Sequence, residues 1–379
     1  MRKILYISGT RADYGLMREA LFQIKKISNL AIEIAVTGMH LMPEFGKTIN
    51  EIKKDKFKIH GINVLYEEDN KESMANFIGK MIQLLIKKVK KIKPDMILLL
   101  GDRGEMLAGA IVGAYLAIPV AHIHGGDVSF SIDEISRHAI TKLSHLHFAA
   151  TKNAAKRLIK LGEDSWRVFI AGAPGLDGIL DKKPSSEKIA KKYKLDLSKP
   201  ILIVLQHPLT LEIEDAGKQM KETMEAIREL NCQAIVIYPN ADAGGRKMIR
   251  IIREYEKYPF IKIFKNIPRQ EYLGLMKIAD VLVGNSSSGI IEAPYLHLPA
   301  VNIGQRQRGR ERAENIIDVN HNKAQIKLAI KKALYDKKFK EKVRKCENPY
   351  GEGRAGVKIA NVLNKIKINR KLLQKQITY

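Results

Sequence analysis

Short apolar runs alternate with helix-patterned segments along almost the whole chain, and this alternation limits what it can fold into. Residues 3–8, 32–37, 96–100, 119–122, 146–150 and 168–171 read as strands. Between them, residues 14–26, 73–91, 104–117 and 135–143 carry the apolar spacing of helices. A second series of strand-like runs follows at 201–206, 234–238, 261–264, 281–283 and 300–303, again with helical patterns between. Strands that are apolar throughout, rather than alternating, belong to parallel sheets covered by helices on both faces. The expectation is α/β, with two Rossmann-like, doubly wound domains facing a central cleft. A length of 379 residues suits two domains better than one core. The Pro-, Gly-, Lys- and Asp-rich stretch 173–200 reads as the linker, giving domains over 1–175 and 176–354 and a tail over 355–379. A last helix is predicted over 356–375, after the turn Asn348-Pro349-Tyr350-Gly351.

The formal charge of +25 invites a second story, nucleic-acid or anionic-membrane binding. The excess, however, is spread over helical segments such as Lys87-Lys88-Val89-Lys90-Lys91, and no aromatic–basic or finger pattern accompanies it. Lysines on solvated helix faces account for it better, so neither nucleic acid nor membrane is expected as a partner. No apolar run approaches the ~20 residues that span a bilayer. The chain enters its first strand-like segment at once, without an apolar leader, and reads as cytoplasmic. Cys232 and Cys346 have no metal-ligand spacing.

In doubly wound sheets ligands meet the loops after the strands, and five such loops stand out. The first is Gly9-Thr10-Arg11-Ala12-Asp13-Tyr14-Gly15, where small residues permit close backbone approach and Arg11 offers a planar fork for a diphosphate. The second is Gly101-Asp102-Arg103-Gly104, with a carboxylate at the rim of an apolar sheet. The third runs from His122-Ile123-His124-Gly125-Gly126-Asp127 through Ile132-Asp133-Glu134 to Arg137-His138. So many titratable groups together suggest a reaction centre. A metal site of His122, His124 and Asp127 is the alternative, weakened by the lack of a third imidazole beside them. Another reading makes Asp133 a helix cap paired with Arg137. His138, His145 and His147 read as ordinary helix and strand residues.

The fourth loop, His207-Pro208, follows the strand that opens the second series, where an imidazole faces the cleft from the opposite wall. The fifth is Gly284-Asn285-Ser286-Ser287-Ser288-Gly289-Ile290-Ile291-Glu292, with Arg306 beyond it. A buried strand, a hydroxyl-rich turn and a helix start attract phosphate through free N–H groups and the helix dipole. Glu292, a turn inside that helix, is placed to accept from ribose hydroxyls. The plain alternative is a strand–turn–helix with a serine cap. Tyr238-Pro239-Asn240-Ala241-Asp242 is a further strand-end loop that can close over a nucleotide.

From Gly9 to about Arg354, these segments in order closely resemble the hydrolysing UDP-N-acetylglucosamine 2-epimerases of sialic-acid-type pathways. The first loop, Arg103 after Asp102, the stretch from Gly125 to Lys142, His207-Pro208, Tyr238-Pro239-Asn240, the serine turn and Gly304-Gln305-Arg306-Gln307 carry the resemblance. It implies a GT-B-like fold whose C-terminal helix crosses back to the first domain. It also implies proton removal at sugar C2, anti elimination of the nucleotide to a glycal, and hydration to a free 2-epimeric sugar. Asp102, His124, Asp133 and His207 are then the catalytic candidates. Arg11, Asp13, Arg103, Asp127, Glu134, Asn240, Ser286, Ser287, Glu292 and Arg306 are the substrate contacts. No cofactor or metal is implied, and relatives of this kind are often dimers or tetramers. Many members that use UDP-N-acetylglucosamine have Glu where this chain has His124 and Asp127. The His-Gly-Gly form is similar to members acting on a 4-acetamido-6-deoxy sugar toward legionaminic-type acids. That leaves the sugar open, and with it UDP against GDP. A glycosyltransferase on the same fold is the competing enzyme reading.

Overall fold

The computed structural model describes residues 1–180 and 185–378. Its first sheet contains β1 (Arg2–Ser8), β2 (Leu30–Val36), β3 (Lys58–Gly61), β4 (Met96–Leu100), β5 (Val120–Ile123), β6 (Leu146–Ala149) and β7 (Val168–Ile170). They lie in the order β3-β2-β1-β4-β5-β6-β7. The second sheet contains β8 (Ile201–Leu205), β9 (Gln233–Ile237), β10 (Ile261–Phe264), β11 (Val281–Gly284), β12 (Ala300–Ile303) and β13 (Ile316–Val319), ordered β10-β9-β8-β11-β12-β13. Neighbours pair in parallel throughout, for example Ile4 with Met96 and Leu202 with Val281. In each sheet the winding reverses once, between β1 and β4 and between β8 and β11. A crevice opens at such reversals, so the loops after these four strands are where a ligand fits.

Central strands are buried along their length, β4 at all five residues, which is why their apolar runs are conspicuous. The edge strands β3 and β13 escape the sequence reading because they are partly solvated and mixed in character, Lys-Ile-His-Gly and Ile-Ile-Asp-Val. The helix expected from residue 14 begins earlier, spanning Arg11–Lys25. Thr10 and Asp13 form a capping box there, each side chain bonding the other's backbone N–H. Residues 11–15 are therefore the first turn of a helix and not a free loop. The presumed linker is partly helical, with Ser186–Tyr193 packed by Ile189 and Tyr193 into the core of the second sheet. Residues 181–184 of that linker lie outside the described residues, as does Tyr379 of the tail.

The predicted last helix is broken in two, Ala355–Lys365 and Arg370–Leu373. Asp177 caps the first piece by accepting from the N–H groups of Ala355 (2.9 Å) and Gly356 (2.5 Å). Gly356 lies so close to the helix Arg11–Lys25 that a Cβ there would stand 2.6 Å from the Ala20 Cα. Ile359 and Leu363 join the core of the first sheet. Buried Arg167 then donates to the carbonyls of Leu372 (2.8 Å), Lys371 (2.9 Å) and Gln374 (3.0 Å), fixing the tail on that same half. No helix among the described residues is long and apolar enough to cross a membrane.

Candidate active site

A cavity of about 240 Å³ lies between the carboxyl ends of the two sheets, lined by the loops after β1, β4, β5, β8 and β11. Eleven of the sequence-predicted site residues share its wall: Arg11, Asp13, Asp102, Arg103, His124, Asp133, His207, Asn240, Ser286, Ser287 and Arg306. Asp127, Glu134 and Glu292 are not on that wall. Arg306 Nη2 lies 3.4 Å from Asp133 Oδ2, so the two halves touch at the centre of the site.

On the first half the charges are braced. Arg137, 1% exposed, donates to Asp102, to Glu134 Oε2 (2.8 Å), to the Asp127 carbonyl (3.1 Å) and to Ser129 Oγ (3.2 Å). Burial favours a neutral Asp102, but Arg137, Arg310 and Arg306 outweigh it and hold the carboxyl below its ordinary range. Asp133 goes the other way. Burial and the neighbouring Asp102 charge push it up to about 6, against the pull of Arg306. The two carboxyls thus divide, one firmly ionised and one titrating near neutrality. Asp133 is not the helix cap. Ser131 takes that place, accepting from Asp133 N–H at 3.1 Å, and the Arg137 pair goes to Asp102 and Glu134 instead.

His124 adopts a left-handed backbone, φ +67°, at the end of β5. Such a conformation costs a non-glycine residue about 1–2 kcal/mol and often marks a functional position. It sets Nδ1 2.9 Å from Asp127 Oδ2, leaving Nε2 for the cavity. Asp127, buried yet answered by His124 and then Arg310, is held at about 2. His122 does not join them: its Nε2 donates to the Gly101 carbonyl at 2.7 Å from within the sheet. The alternative metal set therefore does not assemble, and no group of three or more metal-ligating side chains occurs among the described residues. Glu134 is occupied by Arg137 and by His138 Nε2 at 2.9 Å.

The second half presents donors. His207 Nδ1 accepts from the Asn240 N–H at 3.1 Å, so the neutral ring carries its proton on Nε2. Burial, then the charges of Arg306 and Arg103, keep the ring neutral by driving its pKa well below the usual value. Asn285 clips this strand end to the serine turn, accepting from His207 N–H (2.7 Å) and donating to the His207 carbonyl (2.9 Å). The approach is close enough that Gly284, φ +133°, has no room for a Cβ beside the Leu205 carbonyl, 2.1 Å away. The helix expected after the serine turn is a single turn, Ser288–Ile291, followed by Pro294. Ser287 makes no side-chain cap bond, leaving its hydroxyl to the cavity.

Two cations differ in availability. Arg103 is committed to Glu105 (3.2 Å) and, across the cleft, to Asp242 (3.1 Å). Arg11 is half-buried with its Nη1 buried and unbonded, and desolvation lowers its pKa, so it is a cation waiting for an anion. Glu292 sits behind Ile291 with Oε1 bound to Arg269 Nη1 at 2.7 Å. Sequence reasoning missed Met39, Phe45 and Thr48 after β2, and Lys265 and Asn266 after β10, all on the wall. The strand-end rule points to these loops as well, but they carry no motif. The loop after β9 closes on the first half, Gly244 N–H donating to Asp69 Oδ1 at 2.7 Å.

The family described as UDP-N-acetylglucosamine 2-epimerase matches residues 23–364. A Legionella pneumophila protein named UDP-N,N'-diacetylbacillosamine 2-epimerase (hydrolyzing) is 41% identical over 100% of both chains. A Campylobacter jejuni protein named GDP/UDP-N,N'-diacetylbacillosamine 2-epimerase (hydrolyzing) is 38% identical over 90% of this chain and 89% of its own. The crystal structure of Neisseria meningitidis UDP-GlcNAc 2-epimerase bound to UDP-GlcNAc superposes with a TM-score of 0.79 at 19% identity, covering 96% of this chain and 100% of the other. That last likeness is one of fold.

Proposed function

This chain belongs to the UDP-N-acetylglucosamine 2-epimerase family, and on that premise we propose that it is a hydrolysing 2-epimerase of a nucleotide-linked 2,4-diacetamido sugar. The product is a free 2-epimeric sugar for nonulosonic acid synthesis. The observation that carries the reading is the divided carboxyl pair, Asp102 ionised and Asp133 near 6, in one cavity with neutral His207. Asp133 is the stronger base of the two and takes the C2 proton. The C2–H electrons form the C1=C2 bond as the C1–O bond breaks, and the diphosphate leaves with that electron pair. His207 Nε2–H, with Arg306 and the serine hydroxyls, stabilises the departing oxygen, and Arg11 grips the far phosphate. Water then adds to C1 while C2 is protonated from the opposite face. His124, oriented by Asp127, is the second proton-transfer group. Relatives at 41% and 38% identity are named for a diacetamido sugar, and that favours the diacetamido reading. The same relatives do not favour the glycosyltransferase alternative. Turnover in D2O tests the proposal: the released sugar should carry one deuterium at C2 with inverted C2 configuration. Release of sugar with C2 unlabelled and unchanged overturns it.

A further inference from the structure

The helix that carries Asp133, Ile132–Leu143, is gripped at its far end by the tail of the chain. Of its twelve residues only Arg137, Ile140 and Thr141 are buried, and Ile135 is 69% exposed. One fully buried apolar side chain, Ile140, is little to seat a helix by packing alone. Polar anchors supply the rest. Arg137 ties the middle of the helix to the loops after β4 and β5, through Asp102, the Asp127 carbonyl and Ser129. At the C-terminus the Lys375 ammonium donates to the carbonyls of Thr141 (2.9 Å), Lys142 (3.0 Å) and Ser144 (2.8 Å), and pairs with Glu163 Oε2 at 2.6 Å. Carbonyls at a helix end lack intrahelical partners, and a cation there also meets the negative end of the dipole. Lys375 is itself fixed on both sides. Arg167 donates to the carbonyls of Lys371, Leu372 and Gln374, and Thr378 N–H donates to the Gly162 carbonyl at 3.1 Å. Fully buried Glu163 also accepts from Lys142 Nζ (3.1 Å) and His147 Nε2 (2.9 Å).

The other end of the same helix needs such a hold. The Asp133 carboxylate bonds Arg306 Nη2, 3.4 Å away across the cleft. Among the described residues no side chain of the first half bonds that carboxylate, so its place on that half is the place of the helix. An α-helix is a rod rising about 1.5 Å per residue, roughly 18 Å here, and a tilt or slide at one end carries the other with it. Resting on the reading in which Asp133 takes the C2 proton, we infer that Lys375 is a positioning residue for the reaction. The tail pins the C-terminus of the helix and thereby sets where its N-terminal carboxylate stands against C2. Lys375 is not on the cavity wall and touches no reacting atom, so it acts through the helix alone.

Lys375→Met tests this, because Glu163 keeps Lys142 and His147 and its buried carboxylate stays paired. Measured well below the melting temperature, kcat should fall by about 10–10²-fold, the cost of roughly an ångström of misplacement. Calorimetric binding of UDP should stay at the parent's value, since Ser286, Ser287 and Arg306 stand on the other half. In an Asp133→Asn background the same substitution should cost nothing further, because the group it positions is gone. Lys375→Arg, which keeps the cation and changes its donor geometry, should fall between Lys375→Met and the parent and show the same cycle. A Lys375→Met protein with the parent's kcat overturns the inference alone. So does an equal loss of kcat in both backgrounds, which would make Lys375 a structural residue and nothing more. A parent that releases no sugar, or an Asp133→Asn protein with the parent's kcat, overturns the underlying reading instead.

Discussion

Along the rim of the first sheet three carboxyls are held by neighbours on the same half: Asp102 by Arg137, Asp127 by His124, Glu134 by Arg137 and His138. Along the rim of the second, the His207 ring is neutral and hydrogen-bonded through Nδ1, and Ser287 makes no side-chain cap bond. Both rims stand on the same winding, so the difference lies in loop residues and not in the fold. Bracing fixes protonation states before a ligand arrives, which proton transfer needs. Uncommitted donors leave room for an anion whose charge grows as the reaction proceeds. Asp133 and Arg306 are where the two styles meet.

The largest effect should come from the braced side. Asp133→Asn keeps size and hydrogen bonding but removes the base, and should lower kcat by about 10²–10⁴-fold. Its side chain is 19% exposed, and Arg306, 16% exposed, keeps the Asn285 carbonyl at 3.4 Å, so the melting temperature should stay within a few degrees of the parent's. Steady-state kinetics with thermal unfolding decides the matter. A near-parental kcat would shift the proton transfer to His124 or Asp102.

An intermediate effect concerns the meeting point itself. With Asp133 as base, kcat/KM should fall as pH drops through about 6, because the carboxyl takes up a proton there. Arg306 lowers that pKa, so Arg306→Gln should move the acid limb to higher pH, by about one unit for a partner at this distance. A limb that stays put, or that moves to lower pH, would separate Arg306 from Asp133 and leave the two rims electrostatically independent.

How much of this was legible in the sequence differs between the same two kinds of feature. Buried strands show as apolar runs, and β4 and β12 have the bounds expected of them. Edge strands β3 and β13 are half solvated and leave no such trace. In the site, residue type at a strand end was enough to find Asp102, His207 and Ser286. Pairing was not, since the Arg137 bond to Asp102 joins residues far apart in the chain and only the packed sheet brings them together. Asp13 illustrates the limit: its position marked a binding loop, yet its carboxylate is turned inward to cap a helix and orient Ser8. His40 and Thr48 sit in a segment punctuated by Gly38, Pro43 and Gly46 but without a ligand motif, and only the folded chain brings the two side chains together.

The smallest effect sharpens the comparison on the uncommitted side. Glu292 is the exception there, 2% exposed and bound through Oε1 to Arg269, whose Nη2 donates to the Gly175 carbonyl at 2.6 Å. Oε2 is left to accept from a ribose hydroxyl in the proposed complex. Glu292→Gln retains an acceptor but removes the charge, so that contact should weaken without vanishing. The expected result is a rise in KM of about threefold with kcat unchanged, since a ribose contact is equally strong in ground and transition states. A lowered melting temperature with KM unaltered would give Glu292 the other style, a carboxylate spent on holding Arg269 against Gly175, and the second rim would then be braced at its base as the first is at its edge.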